Sequence, residues 1–189
     1  MTTRQLGLLL VMMEPPAEHD EEFQAWYDTE HMPQRRAMPG FLSAARWECV
    51  EGWPRWLALY DLESLDALKT PEYLAVAGER STPWTRRILG FAKGYRRMAA
   101  KQLEPVDAVA MEGAERLLVA KFETREEVGR LRCAPGMLQG LAQWRVFECA
   151  TAPDAGIWVI AGFNGEVSVA RDVATVWNVY TPYYQRQRD

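Results

Sequence analysis

The sequence predicts an α+β protein made of two tandem β-α-β-β-α-β units, whose sheets pack within one chain to form an intrachain pseudodimeric α+β barrel. Three observations predict it. Met38-Pro39-Gly40-Phe41-Leu42 recurs as Ala134-Pro135-Gly136-Met137-Leu138 at an offset of 96 residues, and Trp47-Glu48-Cys49 is echoed by Phe147-Glu148-Cys149 at an offset of 100. Each copy follows a strand-like run and a helical pattern and precedes a second strand, so one folding unit is repeated. A four-stranded sheet with helices on one face leaves its other face bare, and a second sheet on the same chain is available to cover it.

In the first unit the patterning predicts a strand at residues 5–13, a helix at 20–32, and strands at 41–51 and 55–62 joined into a hairpin by Gly52-Trp53-Pro54. Asp20 is a good helix N-cap and Glu21 and Glu22 favour the positive end of the dipole. Pro33 opposes continuation, so the helix should stop near Met32. Thr70-Pro71 and Thr82-Pro83 each join an N-cap to a first-turn proline, and a short helix is expected to start at both. A strand at 95–103 closes the unit in the ferredoxin-like arrangement. The second unit is abbreviated, with strands at 116–122, 138–149, 157–163 and 174–180 and helices at 124–132 and 167–171. The domains are therefore 1–104 for the first unit, 105–114 for a linker and 115–189 for the degenerate second unit.

Composition narrows the function classes. The 189 residues, 48% hydrophobic, can bury a real core. A net charge of −4 and a pI near 5.4 argue against general nucleic-acid affinity. Charge is uneven: residues 80–101 carry seven basic and no acidic side chains, whereas residues 14–30 carry seven acids and no Lys or Arg. Either the two segments attract each other or the basic one draws an anionic small molecule. Three cysteines lack the even count and spacing of a disulfide framework or zinc site, which fits a reducing cytoplasm. The apolar run 6–13 is too short to span a bilayer and lacks a secretory cleavage site, so neither membrane nor export is expected. With two histidines and no clustered cysteines, no metal is expected. No phosphate loop, dinucleotide fingerprint or Gly-x-Ser-x-Gly elbow is present, and no cofactor is expected.

The chemistry-bearing stretch is Trp26-Tyr27-Asp28-Thr29-Glu30-His31-Met32-Pro33. Phe23, Trp26 and Tyr27 form a helical apolar stripe whose next members are Glu30 and His31. An acid and a base on a face that should be buried must be paired or used. The alternative is that His31 caps the last helix carbonyls while Glu30 reaches solvent. If the stripe is a site, His31 is expected to face a cavity shared by both units, with Asp28 and Thr29 toward solvent.

Phe23-x-x-Trp26-Tyr27-x-x-Glu30-His31-x-Pro33, followed by Pro39-Gly40-Phe41 and the strand Trp56-Leu57-Ala58-Leu59-Tyr60, resembles the EthD-like members of the dimeric α+β barrel superfamily. The resemblance is best over residues 5–103 and rests over 115–184 on the Pro-Gly element and strand order. It implies a barrel of two ferredoxin-like units. It also implies activities found among the relatives: small catabolic isomerases, polyketide cyclases, cofactor-free monooxygenases and, in distant branches, haem proteins. The Glu30-His31-x-Pro33 motif carries over as a candidate site; the second unit lacks a counterpart.

On this reading His31 is the proton carrier, because an imidazole can take and give a proton near neutrality. Tyr27, one turn earlier, would orient the ring or donate to an oxyanion, and Glu30 would hold a neighbouring Arg or Tyr. Arg46 and Arg87 are candidate carboxylate clamps, although Arg46 is equally placed for a salt bridge to Glu48 or across the strands. Trp26, Tyr60 and Trp84 are candidate walls for an aromatic or dienoic ligand. The expected function is a cofactor-independent isomerase, lyase or hydrolase acting on a small anionic product of aromatic or lactone catabolism. The rivals are a non-catalytic small-molecule binding or stress-response protein, a cofactor-free monooxygenase, and haem binding with His31 as axial ligand. Association of the chain into a homodimer is left open.

Overall fold

A computed structural model describes residues 5–168 and 174–184. Eight antiparallel strands are given by β1 (Gly7–Glu14), β2 (Ala45–Glu51), β3 (Trp56–Leu62), β4 (Lys93–Glu104), β5 (Arg116–Phe122), β6 (Leu141–Cys149), β7 (Gly156–Phe163) and β8 (Val176–Pro182). They close into a barrel in the order β1-β3-β2-β8-β5-β7-β6-β4. Each half of the chain therefore contributes four neighbouring strands. The two sets are sewn together at β2 with β8 and at β4 with β6, which leaves no open edge.

Three apolar layers follow from strand alternation. Leu8, Leu10 and Met12 of β1 point into the barrel with Leu57, Leu59, Leu117, Phe147, Trp158 and Tyr180, filling it with side chains from both halves. Leu9, Val11 and Met13 point outward and pack under the helices of the first half with Phe23, Trp26 and Tyr60. The outer face of the second half is covered by α5 (Arg125–Arg132) through Val128 and Leu131. β1 is buried on both faces, which explains its unbroken apolar run.

The helices of the first half are α1 (Asp20–Trp26), α2 (Met32–Arg36), α3 (Pro71–Leu74) and α4 (Pro83–Phe91). Thr70 and Thr82 accept from the backbone N–H of Tyr73 and Thr85, as their Thr-Pro pairs predict. Thr124 and Glu127 form a reciprocal capping box at α5. The expected stop at Met32 is corrected. Tyr27–His31 form one π turn, with the Met32 N–H bonded to the Tyr27 carbonyl, and the right-handed helical path continues through Pro33 to Arg36. The wider turn relieves the clash between a proline ring and the carbonyl one turn back.

The predicted strands are present with shifted ends: β2 starts at Ala45 rather than at residue 41, with Phe41 making an isolated bridge to Leu62, and β6 starts at Leu141. Both Pro-Gly turns place glycine in the left-handed region, Gly40 at φ 81° and Gly136 at φ 82°. A Cβ at Gly40 would come within 2.8 Å of Ala67 Cβ, so the turn needs glycine. Of the helix expected at 167–171, residues 167 and 168 are not helical and the remainder lies outside the described residues. Asp61 of β3 and Arg145 of β6, 2% and 1% exposed, form a 2.5 Å ion pair across the halves. The other Asp61 oxygen accepts from Ser43 Oγ and from the Ala110 N–H, which ties the connecting segment to the pair.

Candidate functional site

The cavity that holds His31 lies between the outer face of β1, β3 and β4 and the helices of the first half. It has a volume of about 310 Å³. Leu9, Val11 and Met13 form its floor, with Tyr60, Tyr95 and Arg97 beside them. Trp26, His31 and Arg35 come from the long helix, and Tyr73, Ser81, Thr85 and Leu89 complete the opposite wall. All lining residues belong to the first half. The expectation of a cavity shared by both units is therefore corrected: the shared interior is filled by the barrel core, and the open space lies on the other face of the first sheet.

The π turn sets the geometry of His31. One extra residue per turn places His31 five residues after Trp26 and against it, with ring centroids 4.3 Å apart, while Tyr27 presents its edge at 5.4 Å and 89°. His31 Nδ1 is buried with no hydrogen-bond partner. Burial first, and then the cations of Arg35 and Arg46, push the imidazole down to about 3, so it is neutral at physiological pH. Trp26 is itself fixed, its Nε1–H donating to Thr85 Oγ1 at 3.1 Å. Glu30 turns away from the cavity and accepts from Thr82 Oγ1 at 2.6 Å and Thr85 Oγ1 at 3.2 Å, holding the start of α4 against the long helix. Its partners are threonines, not the Arg or Tyr expected.

Arg35 is the residue that sequence reasoning missed. It is 6% exposed, its Nη1 has no hydrogen-bond partner, and its guanidinium lies 5.0 Å from the Tyr73 ring centroid. Among the described residues no carboxylate pairs with it. The signal was available: Arg35 is i+4 from His31, and a helix continuing past Pro33 puts the two on one face. Ser81 is also buried with an unpartnered Oγ in the same cavity, but it precedes the α4 cap in a loop and no periodicity marks it. Of seven buried side-chain polar atoms without partners among the described residues, three, on His31, Arg35 and Ser81, belong to residues lining this one cavity.

The other expected site residues separate. Trp26 and Tyr60 line the cavity with His31; Tyr27, Glu30, Arg46, Trp84 and Arg87 do not. Arg46 is buried behind Tyr27, stacked between the Tyr27 and Tyr183 rings at 4.2 and 4.1 Å. It is bonded to Asp28 at 3.1 Å and to Gln24 at 2.5 Å, so its salt bridge runs to the helix and not to Glu48 or across the strands. Asp28 is thus engaged rather than solvent-facing, whereas Thr29 is exposed. Arg87 is an exposed partner of Glu22 at 2.7 Å. Burial raises the Tyr27 and Tyr60 hydroxyls well above their ordinary range, so both are neutral donors.

Among the described residues no group of three or more His, Cys, Asp or Glu side chains could hold a metal ion, and no helix is long and apolar enough to cross a membrane. A haem does not fit the His31 cavity, whose volume of about 310 Å³ lies at the small end of ligand cavities.

No sequence-family profile matches the chain, and no curated protein matches it in sequence. Solved structures do match in shape. An anthrone oxidase-like protein aligns with a TM-score of 0.63 at 13% identity, covering 97% of this chain and 93% of its own. A monooxygenase-like protein from Lactobacillus acidophilus aligns at 0.56 and 10% identity, covering 95% and 93%. A chlorite dismutase variant from Candidatus Nitrospira defluvii, in complex with cyanide, aligns at 0.60 and 8%, covering 95% and 91%. What these likenesses define is a class of fold, the closed eight-stranded antiparallel barrel with helices on its outer face. At such identities the likeness extends to the fold alone.

Proposed function

We propose that this chain is a cofactor-independent acid–base enzyme that binds a small flat anion in the His31 cavity and moves a proton through His31. One observation carries the reading: a buried guanidinium, Arg35, without a carboxylate partner among the described residues, beside a neutral imidazole in an aromatic-walled cavity. A buried cation left unpaired is costly unless a ligand supplies the anion. In the free protein His31 is a weak base. Burial is the first cause of that weakness and the Arg35 cation the second; an anion bound at Arg35 offsets the second and raises the proton affinity of the imidazole when substrate is present. His31 then accepts a proton from a C–H beside a carbonyl, Arg35 holds the resulting enolate oxygen, and the imidazolium returns the proton to another atom.

The EthD-like resemblance supports the same helix motif as the site. The like strand orders of the two halves and the matched glycines at 40 and 136 support reading the chain as a tandem duplication of ferredoxin-like units, 1–104 and 115–189, joined by 105–114. In this reading Tyr27 supports the His31 ring, Glu30 positions α4, and Arg46 stiffens the helix from behind.

The test is deuterium exchange into phenylpyruvate, followed by proton NMR in D2O. Wild-type protein should accelerate exchange beside the carbonyl, and His31→Ala should lose ~10²-fold or more of that acceleration with an unchanged circular dichroism spectrum. Equal rates with and without protein would remove the reading. A second reading, cofactor-free monooxygenation, is favoured by the largely apolar lining and the oxygenase-like neighbours. It shares the deprotonation by His31 and adds dioxygen as oxidant. Oxygen uptake with anthrone, lost in His31→Ala, would select it.

A further inference from the structure

The acid–base step uses one guanidinium, but the cavity has two. Arg97 of β4 lines it with an exposed side chain at the mouth and donates from Nη2 to the Tyr73 hydroxyl at 2.9 Å. Arg35 lies over the face of the same ring. One buried and one exposed cation thus flank Tyr73. No acidic side chain lines the cavity, and among the described residues neither arginine is paired with a carboxylate. A surface arginine ordinarily has acidic neighbours available, as Arg87 has Glu22 and Arg96 has Asp154. At this cavity the local charge is left for a ligand to complete.

We propose that the cavity takes a flat dianion, an aromatic or conjugated dicarboxylate, with one acidic group held inside by Arg35 and the Ser81 hydroxyl and the other at the mouth by Arg97. Tyr73 forms the wall between the two charges. The buried contact supplies most of the affinity, because its cation is desolvated whether or not ligand is bound. The mouth contact selects, because its loss leaves a solvated arginine and a ligand short of one ion pair. This inference rests on the anion placed at Arg35 by the acid–base reading and adds a second charge to it.

Isothermal titration calorimetry on the whole protein at low ionic strength tests it, with benzoate as the single-charge probe and isophthalate and terephthalate as the double-charge probes. The better dicarboxylate should bind about fivefold or more tightly than benzoate, an advantage that shrinks as salt is raised. Arg97→Gln, at an exposed position, should bring the dicarboxylate to the benzoate level and leave benzoate unchanged. Arg35→Gln should weaken both by about tenfold or more. Benzoate bound as tightly as either dicarboxylate, or a preference that survives Arg97→Gln, overturns the two-charge inference and leaves the acid–base reading standing. Absence of binding by all three probes overturns both.

Discussion

Replacing Arg35 by methionine should stabilise the ligand-free protein. The guanidinium is 6% exposed, makes no ion pair among the described residues and leaves Nη1 unbonded. Its compensation is the Tyr73 ring at 5.0 Å, a cation–π contact of about 1 kcal/mol. Desolvating an unpaired charge costs several kcal/mol even after relaxation, and water in a 310 Å³ cavity recovers part of that. Methionine keeps the aliphatic stem in place, so the net gain should be about 1–2 kcal/mol, or ~3–6 °C in Tm for a chain of this length. Differential scanning calorimetry with and without 10 mM-scale benzoate is the assay: benzoate should raise the Tm of the wild type and not of Arg35→Met. A fall of several degrees in the variant would mean that Arg35 is a satisfied structural residue, and the anion site would go with it.

Two further outcomes follow from buried groups. His31 protonates at about 3 in the folded protein against the ordinary 6.5, so between those values the unfolded chain binds a proton that the folded chain refuses. Stability should therefore fall as pH drops below about 6.5, by up to about 2 kcal/mol between pH 7 and 5; urea melts should show a smaller loss in His31→Gln, and an equal loss would refute the buried neutral imidazole. Asp61→Ala strands the buried Arg145 and should cost about 3–5 kcal/mol, seen as a lower urea midpoint, whereas a change below 1 kcal/mol would show that the pair is not buried in solution.

Much of the fold was legible because periodicity and turn chemistry are local. The apolar run at β1, the Thr-Pro caps at 70 and 82 and the two Pro-Gly turns each specify their element within a few residues. The motif around His31 was legible as a polar interruption of an apolar stripe. What failed depended on a non-local choice. Treating Pro33 as a stop removed Arg35 from consideration, since a helix ending at Met32 has no position four residues beyond His31. Placing the cavity inside the barrel followed from assigning the open space to the sheet–sheet interface, but bulky Leu, Phe and Trp side chains from both halves fill that space. Arg46 stood out as a charge on an apolar strand, but its partners were not legible: Gln24 and Asp28 lie one turn apart on a helix and Tyr183 lies far along the chain, and no spacing within the strand reveals either.

The most direct measurement is the number of protons taken up when benzoate binds, obtained by calorimetry at pH 5 in buffers of different ionisation enthalpy. Burial, the first cause of the low His31 midpoint, remains on binding, but an anion at Arg35 offsets the second cause, so the midpoint should rise and the wild-type complex should take up part of a proton. His31→Gln should bind benzoate with no uptake from this source, and Arg35→Gln should barely bind it. Uptake that is zero in the wild type, or identical in His31→Gln, would contradict the coupling of Arg35 and His31 in one site.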